Sequence, residues 1–283
     1  MILAGDYVKI KNKENYEGLI GKVLAFRGVS YEVYLLESKK TIPCSENELQ
    51  KIPKDKFKKQ KRDELSEKLE NLIKKFEPDD KYEEQIKTAY ENLRLFRDKY
   101  PFSKYPQRIN DLTPKDLYRN LSNEMGEFSY WIEYKLKGLG DLNLYATVYQ
   151  NASQQVDDFK ELLHDVVDDK ISLTDKIDAK WEKISGMGGD KILVKKIVCS
   201  FNDKLIPIFN TKHLEHFFNC VIGKEGYPGD YDGKSLGEKY EFLMNKLMKL
   251  KNSVPKTKDW ENVRFSLFLY ANFPPPGKVK WVK

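Results

Sequence analysis

The chain has 283 residues, 40% of them hydrophobic and 33% charged, with 50 Lys and Arg against 44 Asp and Glu and a net charge of +6. That length suits two domains or one large one, the 13% of aromatics argues against a disordered chain, and no apolar run approaches the roughly 18–20 residues of a bilayer span, so no membrane partner is expected. The mild basic excess permits nucleic acid as a partner without demanding it.

The opening MILAGDYVKIK is too short and too soon charged for a signal peptide. Cys44, Cys199 and Cys220 are odd in number, far apart and without CxxC spacing, which predicts a reduced, cytoplasmic protein with no disulfide frame and no zinc knuckle. Residues 1–52 are β-rich: DYVKI, LIGKVLAF, YEVYLL and KKTIP are short runs separated by the turn residues NKENYEG, RGVS and ES. Four or five short strands in so little chain predict a small barrel. GDYVKIKNKENYEGLIGKVLAF resembles SH3-like and KOW-type barrels, which carry GDxVxI, a loop, then GxxGxV. Tyr7, Phe26, Tyr31 and Tyr34 are ordinary strand aromatics, or an outward surface that stacks on bases or cages a methylated cation.

Residues 53–100 read as a helical hairpin or linker. KIPKDKFKKQKR opens it, and Lys56, Lys58, Lys59, Lys61 and Arg62 are either a solvated helix start or a strip that touches phosphates. Leu65, Leu69, Leu72, Ile73 and Phe76 then recur at helical spacing, and Tyr82, Ile86, Ala89, Leu93 and Phe96 line one face of a second helix after Pro78.

Residues 101–283 read as a helical domain. PFSKYPQRINDL is a loop, Thr113-Pro114 a helix start, and FSYWIEYKLKGLG a helix with a glycine stop. DDFKELLHDVVDD and LTDKIDAKWEKI follow as helices, then DKILVKKIVCSF, the turn NDKLIPIFN, TKHLEHFFNCVI, SLGEKYEFLMNKLMKL and a last helix before a PPPGKVKWVK tail. Between LTDKIDAKWEKI and DKILVKKIVCSF sit Gly186, Gly188 and Gly189, followed by Lys191, Lys195 and Lys196. One reading is a glycine-rich helix stop. The other is a phosphate cradle: glycines let an anion approach the unpaired N–H groups of a helix start, and the lysines add charge.

KISGMGGDKILVKKIVCSFNDKLIPIFNTKHLEHFF resembles the helix-hairpin-helix of the DNA glycosylase superfamily, with Ile184 to Gly188 at the hairpin and Pro207 to Thr211 at the motif that opens the next helix. In that family the aspartate that reacts would fall on Asn210, and an amide is no general base, so the resemblance implies a binder without glycosylase chemistry. FSYWIEYKLKGLG with DKLIPIFNTKHLEHFF is also similar to the N-terminal DNA-recognition regions of McrB-like AAA+ restriction systems, which implies modification-dependent DNA recognition beside a AAA+ motor and a nuclease subunit. The chain itself has no GxxxxGK[ST] phosphate loop.

Other chemistry is weaker. His213, His216 and Cys220 share a helical stripe, but amid Phe217, Phe218 and Leu214. His164 with Asp165, Asp168 and Asp169, and Glu133 with Lys135 in WIEYK, lack the context of a metal or nuclease site. The expected fold is α+β, mostly α: an SH3-like β-barrel over 1–52, the 53–100 hairpin, and a helical domain over 101–283 containing a helix-hairpin-helix element. The expected function is non-catalytic, cofactor-free recognition of double-stranded DNA, with modified bases among its targets, in a restriction system. Gly186, Gly188, Gly189, Lys191, Lys195 and Lys196 are its phosphate contacts. The rival readings are a glycosylase-like or nuclease enzyme, and a protein–protein adaptor acting through the barrel.

Overall fold

The computed structural model describes residues 1–119, 124–142 and 146–277; the KVKWVK end of the expected tail lies outside them. The chain divides into two compact units, Met1–Lys68 and Leu69–Lys283. Among the described residues no helix is long and apolar enough to cross a membrane.

The first unit holds a five-stranded antiparallel sheet in the order β4-β3-β2-β1-β5. Its strands are β1 (Tyr7–Ile10), β2 (Ile20–Arg27), β3 (Ser30–Leu35), β4 (Thr41–Cys44) and β5 (Leu49–Ile52). Alternate residues point inward, as a strand's two-residue period dictates. Val8, Ile10, Val23, Val33, Leu35, Ile42, Cys44 and Leu49 form a small core that Ile2 and Tyr31 complete. β2 departs from the alternation once. Val23 pairs with Val33 and Ala25 with Glu32, neighbours on β3, so Leu24 is the extra residue of a bulge. The β2–β3 connection is a two-residue loop, Gly28–Val29, and Gly28 takes the positive φ of +72° that such a loop requires at its first position. β4, with Pro43 in its span, forms one end of the sheet.

Pro53 ends β5, and helix α1 (Lys54–Lys75) follows directly. Its first turn is fixed by Phe57, buried and stacked on Tyr7 with ring centroids 3.9 Å apart. The segment 53–100 is therefore divided between the units. The start of α1 belongs with the sheet, whereas Leu69 and Ile73 enter the core of the second unit beside α2 (Asp80–Lys99). On α2, Ile86, Ala89, Leu93 and Phe96 are buried at the predicted helical spacing, and the Asp79 carboxylate caps the helix by accepting the Tyr82 N–H at 2.9 Å.

The rest of the second unit is α3 (Pro114–Leu117), a two-residue strand pair β6 (Tyr118–Arg119) and β7 (Glu124–Met125), α4 (Glu127–Glu133), α5 (Ala146–Gln154) and α6 (Val156–Val167). Then come α7 (Leu173–Asp178), α8 (Ile192–Phe201), α9 (Thr211–Val221), α10 (Leu236–Ser253), α11 (Pro255–Lys258) and α12 (Asn262–Asn272). Two expected helices are interrupted. FSYWIEYKLKGLG is α4 followed by a 3-10 turn over Lys135–Leu139, and LTDKIDAKWEKI is α7 followed by a 3-10 turn over Trp181–Lys183. The second break has a visible cause. Trp181 is wholly buried, and its indole N–H donates to the Lys176 carbonyl at 2.9 Å, which pulls the chain out of the helical path after Ala179. The apolar core runs from α2 through Phe128, Phe159 and Trp181 to Phe217, Phe218, Tyr240 and Phe268.

Candidate nucleic-acid interface

The glycine hairpin is a tight joint between the Trp181 turn and α8. Gly186 has φ +92°, and a β-carbon there would stand 2.8 Å from the Val148 side chain. Gly189 has φ +64° and faces open space. Both need glycine for backbone reasons. Gly188 has no such need: a β-carbon would meet Glu182 at an ordinary 3.4 Å.

The three lysines do not line an open cradle, which corrects the expectation that they add charge for a phosphate. Lys191 sits at φ +50°, directly before α8, and turns back on α7. Its ammonium donates to the carbonyls of Ile177 and Ala179, each at 2.9 Å, and lies 3.4 Å from the Glu182 carboxylate. A cation on the last carbonyls of a helix complements both the unpaired oxygens and the helix dipole. Lys195 and Lys196 are wholly buried.

Lys195 joins the hairpin to α9. Its ammonium donates to Asp190 Oδ1 at 2.8 Å and to Thr211 Oγ1 at 2.6 Å, and sits 5.0 Å from the centroid of the Tyr240 ring. The Asp190 carboxylate also accepts the Thr211 N–H at 3.0 Å and the Thr211 hydroxyl. Burial pushes the Lys195 ammonium below its ordinary pKa, and Asp190 opposes that push. The carboxylate thus fills the position at the start of α9 that an anion would otherwise take.

Asn210 is the cap of the same helix. Its side-chain oxygen accepts the His213 N–H at 3.2 Å, so two first-turn donors are satisfied, one by Asn210 and one by Asp190. Asn210→Ala is expected to cost about 1 kcal/mol of unfolding free energy in a denaturant titration, the ordinary value of such a cap.

Lys196 points the other way, donating to the Gly140 carbonyl at 2.7 Å. Burial pushes its pKa down to about 8, against the pull of Glu133 and Asp141. Glu133 is itself buried and accepts the Tyr149 hydroxyl at 2.6 Å. It lies on a helix, so Glu133 and Lys135 do not form the strand-borne carboxylate–lysine pair of a nuclease.

The basic strip of α1 is different. Lys56, Lys58, Lys59 and Arg62 are exposed and Lys61 is half-exposed. Among the described residues only Lys61 of these five has an ion-pair partner, Glu64 at 3.6 Å. Residues 1–68 carry fifteen Lys and Arg against eleven Asp and Glu, which is +4 of the chain's +6. The sheet aromatics do not form an outer cluster: Tyr31 is in the core, Tyr7 is stacked on Phe57, Tyr34 is half-buried, and Phe26 is exposed. Of the two readings, ordinary strand aromatics fits Tyr31 and Tyr34, which the two-residue alternation of β3 puts on opposite faces.

Elsewhere, His213 Nδ1 is 3.0 Å from the Tyr270 hydroxyl and His216 Nε2 is 3.6 Å from Cys220 Sγ. Among the described residues no three His, Cys, Asp or Glu side chains converge as metal ligands. Two cavities, one beside Phe128 and Met187 and one beside Tyr90 and Asn262, measure about 10 and 20 Å³. Each has room for about one water molecule. No protein-family model matches this chain, no curated protein matches it, and no solved structure matches its fold.

Proposed function

We propose that the chain binds DNA, and that the first turns of α1 rather than the glycine hairpin hold its phosphates. The observation that carries the reading is the basic run over residues 54–62, six Lys and Arg, five of them exposed, against the single carboxylate of Asp55. Lys54 and Lys58, Lys58 and Arg62, and Lys59 and Arg62 are three or four apart on one helix, so their side chains are neighbours. Like charges at that spacing oppose the helix by a few tenths of a kcal/mol per pair. A polyanion laid along the strip removes that repulsion and gains entropy by releasing its counterions.

The sheet then serves as an SH3-like support for the strip. The hairpin and α8 serve as the rigid joint of a helix-hairpin-helix, closed by its own carboxylate. Recognition of DNA for a restriction system, beside a AAA+ motor and a nuclease subunit, is the role we infer for such a chain.

Affinity for a blunt duplex is expected to fall linearly in log–log form with salt, with a slope of about −0.9 per phosphate bound. Reversing Lys58, Lys59 and Arg62 to Glu is expected to flatten that slope by about one unit for each phosphate no longer held. Wild-type binding that ignores salt, or a reversed variant that binds as wild type, would remove the strip from the interface.

A further inference from the structure

The β2–β3 hairpin carries apolar side chains into solvent. Leu24 is 47% exposed, Phe26 57% and Val29 89%. A two-residue loop needs its glycine at Gly28; it does not need valine beside it. The register explains Phe26. It stands opposite Tyr31, and cross-strand partners share a face, so Phe26 lies on the face that carries Val33 and the core. It does so beyond the end of that core, with its ring tilted against Tyr31 at a centroid distance of 4.8 Å. The side chain is therefore held in place by one buried ring and left open on its other side.

The same register sets what lies near the hairpin. Tyr7 on β1 pairs with Lys22 on β2 and with Ile52 on β5. β5 therefore runs parallel to β2 and ends level with Lys22, while β2 continues to Arg27. α1 begins two residues after Ile52, on the side toward which β2 continues, and the Phe57–Tyr7 stack keeps its first turn there. The hairpin tip and the cationic turns of α1 thus share one end of the unit. Of the acidic groups nearby, Glu32 is paired with Arg27 and Asp6 with Lys51. Asp55, in the first turn of α1, is exposed as well, but six Lys and Arg stand against that one carboxylate over residues 54–62, so the net charge at this end is positive.

We infer that this end of the first unit takes nucleic acid with unpaired bases: α1 holds the phosphates, and Phe26, at the foot of the Gly28–Val29 loop, stacks on a base. The inference rests on the reading of α1 given above and adds the group that meets the bases. An aromatic ring stacks on any base because every base has a π-face, and a cationic groove beside it follows the backbone. An intact duplex keeps its bases stacked on one another and offers the ring nothing to stack on.

The test is a fluorescence anisotropy titration of the full chain with labelled oligothymidylate and with a blunt duplex of the same length. Wild type is expected to prefer the single strand. Phe26→Ala is expected to weaken single-strand binding roughly five- to hundredfold, the range of one base stack, with the salt slope unchanged. Phe26→Trp should keep the affinity, because its ring stacks as well. Phe26 is exposed, so the variants should melt as wild type does. Single-strand affinity that is unchanged in Phe26→Ala, while the Lys58, Lys59 and Arg62 reversals still weaken it, overturns this inference and leaves the phosphate strip standing. Wild type with no salt-sensitive affinity for either oligonucleotide overturns both. Phe26-dependent binding to phosphatidylserine vesicles without nucleic-acid binding assigns the patch to lipid and overturns the inference as well.

Discussion

Asp190→Ala is expected to lower the unfolding free energy by about 3 kcal/mol, the largest effect of any single substitution in the hairpin. The carboxylate accepts from Lys195, from the Thr211 backbone and from the Thr211 hydroxyl, and its loss strands an ammonium that is wholly buried. Removing one partner of a buried pair costs about 3–5 kcal/mol because the other charge stays in a poor solvent. The Asp190 side chain is 31% exposed, which places the loss at the lower end. Asp190→Asn should lose less, since the amide oxygen still accepts the Thr211 N–H. The double variant Asp190→Asn/Lys195→Met should recover much of the loss, because no charge is then left in the core. Urea titrations of the four proteins decide this. A loss below about 1 kcal/mol in Asp190→Ala, the worth of an ordinary exposed pair, would mean that water reaches Lys195.

The second large effect is a rise in stability with pH. Burial holds the folded pKa of Lys196 at about 8, against an unfolded value of 10.5. Below pH 8 both states carry the proton, and the folded state bears the full cost of a buried charge. Between pH 8 and 10.5 the unfolded chain holds a proton that the folded chain has released, so the unfolding free energy climbs with pH. Above about pH 10 the buried tyrosines reverse the trend. Burial raises the pKa of Tyr149 and Tyr240, so the unfolded state gives up protons that the folded state keeps. The gain attributable to Lys196 between about pH 7.5 and 10 is about 2–3 kcal/mol, at about 1.36 kcal/mol per pKa unit. Burial also depresses Lys195, Lys176 and Lys251, and these add to the wild-type slope. Lys196→Met isolates the one residue: its pH profile should be flatter than wild type by that amount. Parallel profiles would show that Lys196 keeps its ordinary pKa in the fold and stays charged there up to about pH 10.5.

Much of this was legible from pattern. The β-rich runs of residues 1–52 are the sheet, because alternation fixes which side of a strand is apolar. The face of α2 and the Asn210 cap follow from spacing and from a short polar side chain before a helix. The buried lysines were missed because lysine defaults to solvent. A signal existed: in ILVKKIVCSF the apolar residues occupy every side of the helical wheel, so no face is left for solvent and both lysines had to go inside. The third member of the Lys195 cluster was not readable at all. Asp190 is five positions from Lys195, but Thr211 is 21 from Asp190, and only the chain reversal between α8 and α9 brings it in. Leu24 is a third kind of case. A bulge is a relation between two strands, and neither strand announces it alone.

One end of the sheet has a consequence for the protein at high concentration. A terminal strand exposes a row of backbone donors and acceptors onto which a second chain can add a strand, and an exposed apolar hairpin in the same unit would help to recruit one. β4 is one of the two strands at the ends of the sheet, and Pro43 gives it a residue with no N–H to donate. Lys39 and Lys40, just before it, put two positive charges at its entrance. Edge-to-edge growth of sheet between molecules therefore meets a missing hydrogen bond and like-charge repulsion together. The unit can expose Phe26 and Val29 without that edge offering a template for aggregation.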